Sequence, residues 1–260
     1  MIKSTVGFLC LLVTGVPAAW GAAAQPKPAD AADLRKEVQA MRQSQEAMAR
    51  DIADIKKILE SLQGPPPVGP AEGRIDAAGA PEKGNPRASV VLVEFSDYQC
   101  PFCKRQVDAT SPLIERNYIA TGRIRYVFMD YPLEAIHPLA FKAAEASHCA
   151  AEQKQFWKMH DRLFANQDKL KLEQLVGHAA ALGLDKKRFA ACLDSGKYAA
   201  RIKASLAQGE KFGISGTPAI ILGRNRNGTI EAVRMIVGAL PFEVIKQEVD
   251  KLLAEPPKAK

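Results

Sequence analysis

Val90-Val91-Leu92-Val93-Glu94-Phe95-Ser96-Asp97-Tyr98-Gln99-Cys100-Pro101-Phe102-Cys103 is the stretch from which the rest of the chain can be read. It opens on a nearly continuous apolar run, the pattern of a strand buried on both faces, interrupted only by Glu94. Pro101 suits the first turn of a helix, where its missing N–H costs nothing. The stretch therefore predicts a strand that gives way to a helix at Cys100, the helix running to about Tyr118. A second apolar run, Ile124-Arg125-Tyr126-Val127-Phe128-Met129, follows. Two such strands joined by a helix make a β-α-β unit with both strands central in a sheet. The first turn of that unit carries Cys100 and Cys103.

Downstream of Pro138 the pattern turns helical as far as about Phe212, through Ala140–Ala151, Phe156–Phe164 and Phe189–Leu193. Trp157 and Phe156 share a helical face and are expected in the core. Strand character returns at Ala219-Ile220-Ile221-Leu222, with a turn at Asn227-Gly228 and a second arm at Ala232–Val237, which reads as a hairpin. Pro241 and the spacing of Val244, Ile245, Val249, Leu252 and Leu253 predict a closing helix. Residues 87–256 thus read as one mixed α/β domain.

Upstream, residues 64–86 hold Gly64-Pro65-Pro66-Pro67, Gly69-Pro70, Gly79-Ala80-Pro81 and Gly84-Asn85-Pro86, and are expected to be a linker. Residues 25–63 are expected to form a coiled-coil helix. Leu34, Val38, Met41, Gln45, Met48, Ile52, Ile55, Leu59 and Leu62 recur at alternating steps of four and three, the period of a left-handed supercoil. With Val38 at position a, Glu37 and Asp51 at g face Arg42 and Lys56 at e of a parallel partner, so a parallel homodimer or homotrimer through residues 34–62 is expected. An amphipathic helix docked on the globular domain is the alternative. Residues 1–24 read as a cleaved signal peptide: Lys3, an apolar core from Val6 to Val16, then a small-residue site ending at Ala24. An uncleaved anchor would need about 20 apolar residues. Cys10 lies within this leader.

The chain has 260 residues, 47% of them hydrophobic, which fits one core-forming domain with appendages and excludes a large multidomain machine. Thirty-six basic against 29 acidic residues, a net +7, give a mixed surface without a dense basic run, so no nucleic-acid partner is expected. Removal of the leader leaves Cys100, Cys103, Cys149 and Cys192 in a compartment where disulfides persist. Cys149 and Cys192 both fall in the helical block, and a structural disulfide between them is expected; two buried thiols or a second redox pair are the alternatives.

A Cys-x-x-Cys at a helix N-terminus favours the thiolate of its first sulfur, through unpaired N–H groups and the helix dipole. The second, one turn on, can close a ring with it and release a disulfide-linked partner. Zinc would need two more ligands at suitable spacing, whereas His137, His148, His160 and His178 are dispersed, so no metal is expected. A purely structural bridge over so small a loop would stabilise little.

Gly84-Asn85-Pro86, the segment from Val91 to Cys103, Phe128-Met129-Asp130-Tyr131-Pro132-Leu133, His137-Pro138, Phe156-Trp157 and Gly213-Ile214-Ser215-Gly216-Thr217-Pro218-Ala219 together resemble DsbA-like proteins of the thioredoxin superfamily, over roughly residues 84–254. The resemblance implies a thioredoxin fold with a helical insertion at about 137–212. It implies Cys100 as an exposed nucleophile, Cys103 as a buried resolving thiol, and Glu94 as a buried acid assisting proton transfer at Cys103. A carboxyl facing a core would have a raised pKa, which agrees; a solvated strand face is the alternative. Pro218 is implied to be a cis-proline lying against the cysteine pair, with Pro101, Phe102 and Thr217 meeting substrate. His137 is expected to be structural and near the site.

Phe102 departs from the histidine that strongly oxidising relatives often carry there. Lowering a thiol from about 8.5 to about 4 needs roughly 6 kcal/mol, and helix-end effects supply about 2. Cys100 is therefore expected below a free thiol but above the strongest oxidases. The function expected is periplasmic thiol-disulfide exchange without cofactor, acting as oxidase or isomerase on unfolded or misdisulfided exported proteins, with a membrane redox partner. A coiled-coil scaffold or peptide-binding surface protein is the alternative from another class.

Overall fold

The computed structural model describes residues 31–62, 68–226 and 228–255, and in the first of these segments the side chains of residues 32–54. The signal-peptide and cleavage-site expectations, and Cys10, lie outside the described residues. The chain divides into two units, Met1–Gly64 and Pro65–Lys260. The first contains α1, a helix over Ala31–Leu62. Its stripe residues Leu34, Val38, Met41, Met48 and Ile52 are all exposed.

The second unit is built on a seven-stranded sheet: β1 (Val68–Pro70), β2 (Arg74–Ile75), β3 (Glu82–Gly84), β4 (Val90–Ser96), β5 (Ile124–Asp130), β6 (Ala219–Arg226) and β7 (Thr229–Val237). The spatial order is β1-β7-β6-β4-β5-β3, with β2 also pairing β7. β4 lies parallel to β5, and every other pairing is antiparallel. Both apolar runs are interior strands, as their sequence predicts.

The expected linker at 64–86 is corrected by these pairings. Val68–Pro70 and Arg74–Ile75 add to β7, and Glu82–Gly84 adds to β5. Proline is excluded from central strands because it cannot donate to the ladder, yet an edge strand tolerates it. The Pro/Gly density that reads as a tether is thus compatible with short strands at the two margins of the sheet.

Alternation along β4 divides its side chains between two cores. Val90 and Leu92 pack with Tyr126 and Phe128 beneath the inserted helices and the closing helix. Val91, Val93 and Phe95 face the opposite way, with Val127, Met129 and Ile221. Glu94 shares the first face.

The segment after β4 is helical from Pro101 to Ile119, but not uniformly. α2 (Pro101–Arg105) and α3 (Ser111–Ile114) are each followed by a wider π turn, at Gln106–Thr110 and Glu115–Ile119. Pro112 inside the helix has no N–H to give its preceding turn, and a local widening relieves the conflict. The insertion comprises α4 (Ala140–Ala151), α5 (Phe156–Ala165), α6 (Leu172–Ala181), α7 (Lys186–Ser195) and α8 (Ala199–Lys211); α9 (Phe242–Ala254) closes the unit. Cys149 on α4 and Cys192 on α7 are joined by a disulfide across 43 positions. Gly209 in α8 is required by close approach, since a Cβ there would sit 2.5 Å from the ring of Tyr131.

Candidate active site

The loop Ser96–Cys100 turns the chain from β4 into α2, and Asp97 holds its shape. This carboxylate is buried at 1% exposure; Oδ1 accepts from the N–H of Gln99 at 2.7 Å and of Cys100 at 3.1 Å. Its Oδ2 accepts from Leu133 N–H at 2.8 Å and pairs with His137 Nδ1 at 2.9 Å. Gln99 Oε1 receives Leu139 N–H, and Gln167 donates to the carbonyls of Tyr98 and Cys100. The insertion therefore grips the loop that aims the first cysteine. His137 acts in that grip rather than on a reacting atom.

Cys100 is the N-cap of α2 in extended conformation, and its carbonyl starts the helix by accepting from Lys104 N–H. The Thr217-Pro218 peptide bond is cis, and the Cys100 Sγ lies 3.3 Å from the Thr217 carbonyl oxygen. The loop bearing this bond is fixed on both sides: Gly238 N–H donates to the Pro218 carbonyl, and the Tyr131 hydroxyl to the Ile214 carbonyl. Because the loop lies on the sulfur, Cys100 is only 3% exposed, which corrects the expectation of an exposed nucleophile. Its neighbour Phe102 is 53% exposed, with the Arg105 guanidinium 5.1 Å from its ring.

Cys100 and Cys103 are both free thiols, and their acidities are driven apart. The Cys100 pKa is lowered to about 6, first by its hydrogen bond from Cys103, against burial, and further by Thr217 and the backbone of Cys103 and Phe102. Burial pushes the Cys103 thiol well up, and the Cys100 sulfur beside it adds to the shift. The Cys100 thiolate is thus present above about pH 6 and lost below it. Alkylation of the reduced protein is expected to show one titration centred near 6. Phe102→His, which adds a donor beside the sulfur, should lower that midpoint by about one unit or more.

Glu94 is wholly buried, and burial raises its pKa against the hydrogen bond that Tyr126 donates to Oε2 at 2.9 Å. Its position is core-facing, not on a solvated face. Trp157 is at the margin of the core, with the Lys83 ammonium 4.4 Å from its ring. No group of three or more His, Cys, Asp or Glu able to hold a metal occurs among the described residues. Asp97, Gln167 and Tyr126 carry no chemical motif; their roles come from contacts distant in sequence.

A strand-to-helix turn carrying two thiols, set against a cis-proline loop and roofed by an inserted helical block, defines a thioredoxin fold of the DsbA-like kind. The sequence pattern of the family described as thioredoxin matches residues 78–239, and the chain belongs to that family. Alpha-DsbA1 from Wolbachia pipientis superposes with a TM-score of 0.61 at 24% identity, over 69% of this chain and 93% of that one. The thiol-disulfide exchange protein alpha-DsbA2 from the same organism gives 0.55 at 25% identity, over 66% and 87%. In sequence, a Na(+)/H(+) antiporter NhaA 3 from Salinispora tropica is 37% identical over 158 residues, 60% of this chain. That match spans about a quarter (24%) of the antiporter, so the likeness concerns a domain-sized part of it.

Proposed function

We propose that the protein is a periplasmic thiol-disulfide oxidoreductase acting on exported proteins. The observation that carries this reading is the placement of the two free thiols, Cys100 at a helix start with its Sγ 3.3 Å from the Thr217 carbonyl of the cis-proline loop and Cys103 buried one turn on, which lowers the Cys100 pKa to about 6 and raises that of Cys103. An attacking thiol is most effective with a pKa near ambient pH, because thiolate population and nucleophilicity oppose each other. Likeness to a thiol-disulfide exchange protein supports the reading. The leader-like residues 1–24 support export.

In the reducing or rearranging direction, the Cys100 thiolate attacks one sulfur of a substrate disulfide and the other substrate sulfur leaves as a thiolate. Cys103 then gives up its proton and attacks the Cys100 sulfur. The substrate leaves as a second thiolate, now reduced, and the Cys100–Cys103 disulfide forms. Oxidation of a substrate dithiol is the same sequence reversed. Glu94 is the group that takes or returns the Cys103 proton. Pro101, Phe102 and Thr217 meet the substrate, the exposed Phe102 ring offering an apolar contact. A membrane redox partner restores the pair to its working state.

The exposed stripe of α1 fits a second or third copy of the same helix in parallel, so several active sites would share one frame and engage a misfolded client together. The mature chain in glutathione buffer, given a scrambled, fully oxidised multi-disulfide substrate, is expected to restore its activity, and Cys100→Ala is expected to abolish this. Rapid oxidation of reduced substrate without reactivation would identify an oxidase. Absence of both activities would overturn the enzymatic reading in favour of a peptide-binding scaffold. Met41→Asp with Met48→Asp should lower both oligomer mass and reactivation.

A further inference from the structure

Glu94 has no exposed surface, so a proton that it takes from Cys103 must still find a way to solvent. Its Oε2 is occupied by the Tyr126 hydroxyl, while Oε1 is buried and meets no protein hydrogen-bond partner. Tyr126 also lines a cleft of about 250 Å³ on the helix-covered face of the sheet, bounded by Trp157, Lys83, Ile119 and Asp161. Room for several waters exists there, each occupying about 30 Å³ in the liquid. His160 lines the same cleft.

The setting of His160 is unusual for a histidine that only fills a core. Its ring is packed among Tyr98, Phe128 and Trp157, with centroids 5.8, 4.9 and 5.3 Å away. Phe128 is the cross-strand neighbour of Glu94, so the imidazole packs on the residue beside the acid. Nδ1 pairs with Asp161 Oδ1 at 2.8 Å, and the Asp161 side chain is 66% exposed. Nε2 is buried without a protein partner. An imidazole can accept a proton at one ring nitrogen while giving one up at the other, and here one nitrogen is tied to a surface carboxylate.

We propose that this cleft is the port through which Glu94 exchanges its proton with solvent, and that His160, braced by Asp161, is the relay residue. The inference rests on the reading of Glu94 as the acid serving Cys103. Oε1 and Nε2 make no direct hydrogen bond, so one proton passes from the Glu94 carboxyl to Nε2 through water held in the cleft, one leaves Nδ1 by way of Asp161 for bulk water, and no electrons move. The other ionisable groups facing the imidazole or its cleft are Tyr98, Tyr126, Lys83 and Glu115. His160 would act through Glu94 and would not touch the reacting sulfurs.

Hydrogen–deuterium exchange of the protonated Glu94 carboxyl tests the relay. Its infrared carbonyl band, identified by its loss in Glu94→Gln, is followed after the mature reduced protein is diluted into D2O at mildly acidic pH. His160→Gln is expected to slow the exchange at least about tenfold, within the usual reach of a single proton-transferring side chain. Asp161→Asn, a surface change that leaves the packing intact, is expected to slow it less and keep the thermal midpoint. Unaltered exchange in both variants overturns the proposal; should His160→Gln not fold, unaltered exchange in Asp161→Asn alone does so. The readout needs no substrate, so absence of disulfide exchange would defeat the enzymatic reading while leaving the relay measured.

Discussion

With Cys103 replaced by serine, the protein is expected to remain covalently joined to its substrates through Cys100. The wild-type resolving sulfur attacks from one helical turn away, and oriented intramolecular groups reach effective concentrations of about 10⁵ M or more. External thiol at millimolar strength is a poor replacement, so release should slow by at least about 10³-fold. Reductant-sensitive adducts should accumulate on non-reducing gels, and Cys100→Ala in the same background should remove them all. A Cys103→Ser protein that forms no adduct with unfolded, cysteine-bearing substrate would show that Cys100 is not the attacking group. The test bears on the structure directly, because the two thiols differ in environment as well as in position. Cys100 starts the helix against the cis-proline loop with its pKa lowered to about 6, whereas burial raises that of Cys103, so an adduct through the wrong sulfur would contradict that assignment.

Removing the Cys149–Cys192 bridge carries the second large effect, on stability rather than chemistry. Closing a loop of 43 positions withdraws about 4 kcal/mol of chain entropy from the unfolded state in the loop-closure account. Replacing both cysteines by alanine should lower the melting midpoint by about 10 °C for a unit of this size. The bridge ties α4 to α7, and both sulfurs are well covered, at 1% and 7% residue exposure. Mild reductant should open the Cys100–Cys103 pair first, because the acidified Cys100 is the better leaving thiolate, and leave this one intact. Simultaneous reduction of both would revive the alternative of a second redox pair. Because α4 carries His148 against Asp130, the double variant should also loosen the end of β5 next to the active-site loop.

The strand ending at Phe95, the cysteines at the start of a helix and the closing hairpin were legible because each is a local pattern. Apolar runs, a proline at a helix start and a two-thiol spacing need no knowledge of what lies across the fold. The residues that hold the site were not legible for the opposite reason. Asp97 reads as one more loop acid until Leu133 and His137, far along the chain, are brought onto its second oxygen. Tyr126 reads as a strand aromatic until its hydroxyl meets Glu94. Proline and glycine between residues 68 and 84 misled in another way. They argue against a central strand, and an edge strand satisfies that argument as well as a tether does. Cys100 differs from its expected exposure because the cis-proline loop, 117 positions away, covers the sulfur.

The margins of the sheet have a consequence for the company this protein can keep. A long, flat outer strand presents open N–H and C=O groups that recruit extended chains into a growing ladder, the first step of amyloid-like association. Here the outer positions belong to Val68–Pro70, Arg74–Ile75 and Glu82–Gly84, none longer than three residues. Proline, glycine and charged side chains occupy most of them. Such margins offer an extended chain little to template on, which would suit the proposed engagement of unfolded polypeptides at Cys100 and the cis-proline loop.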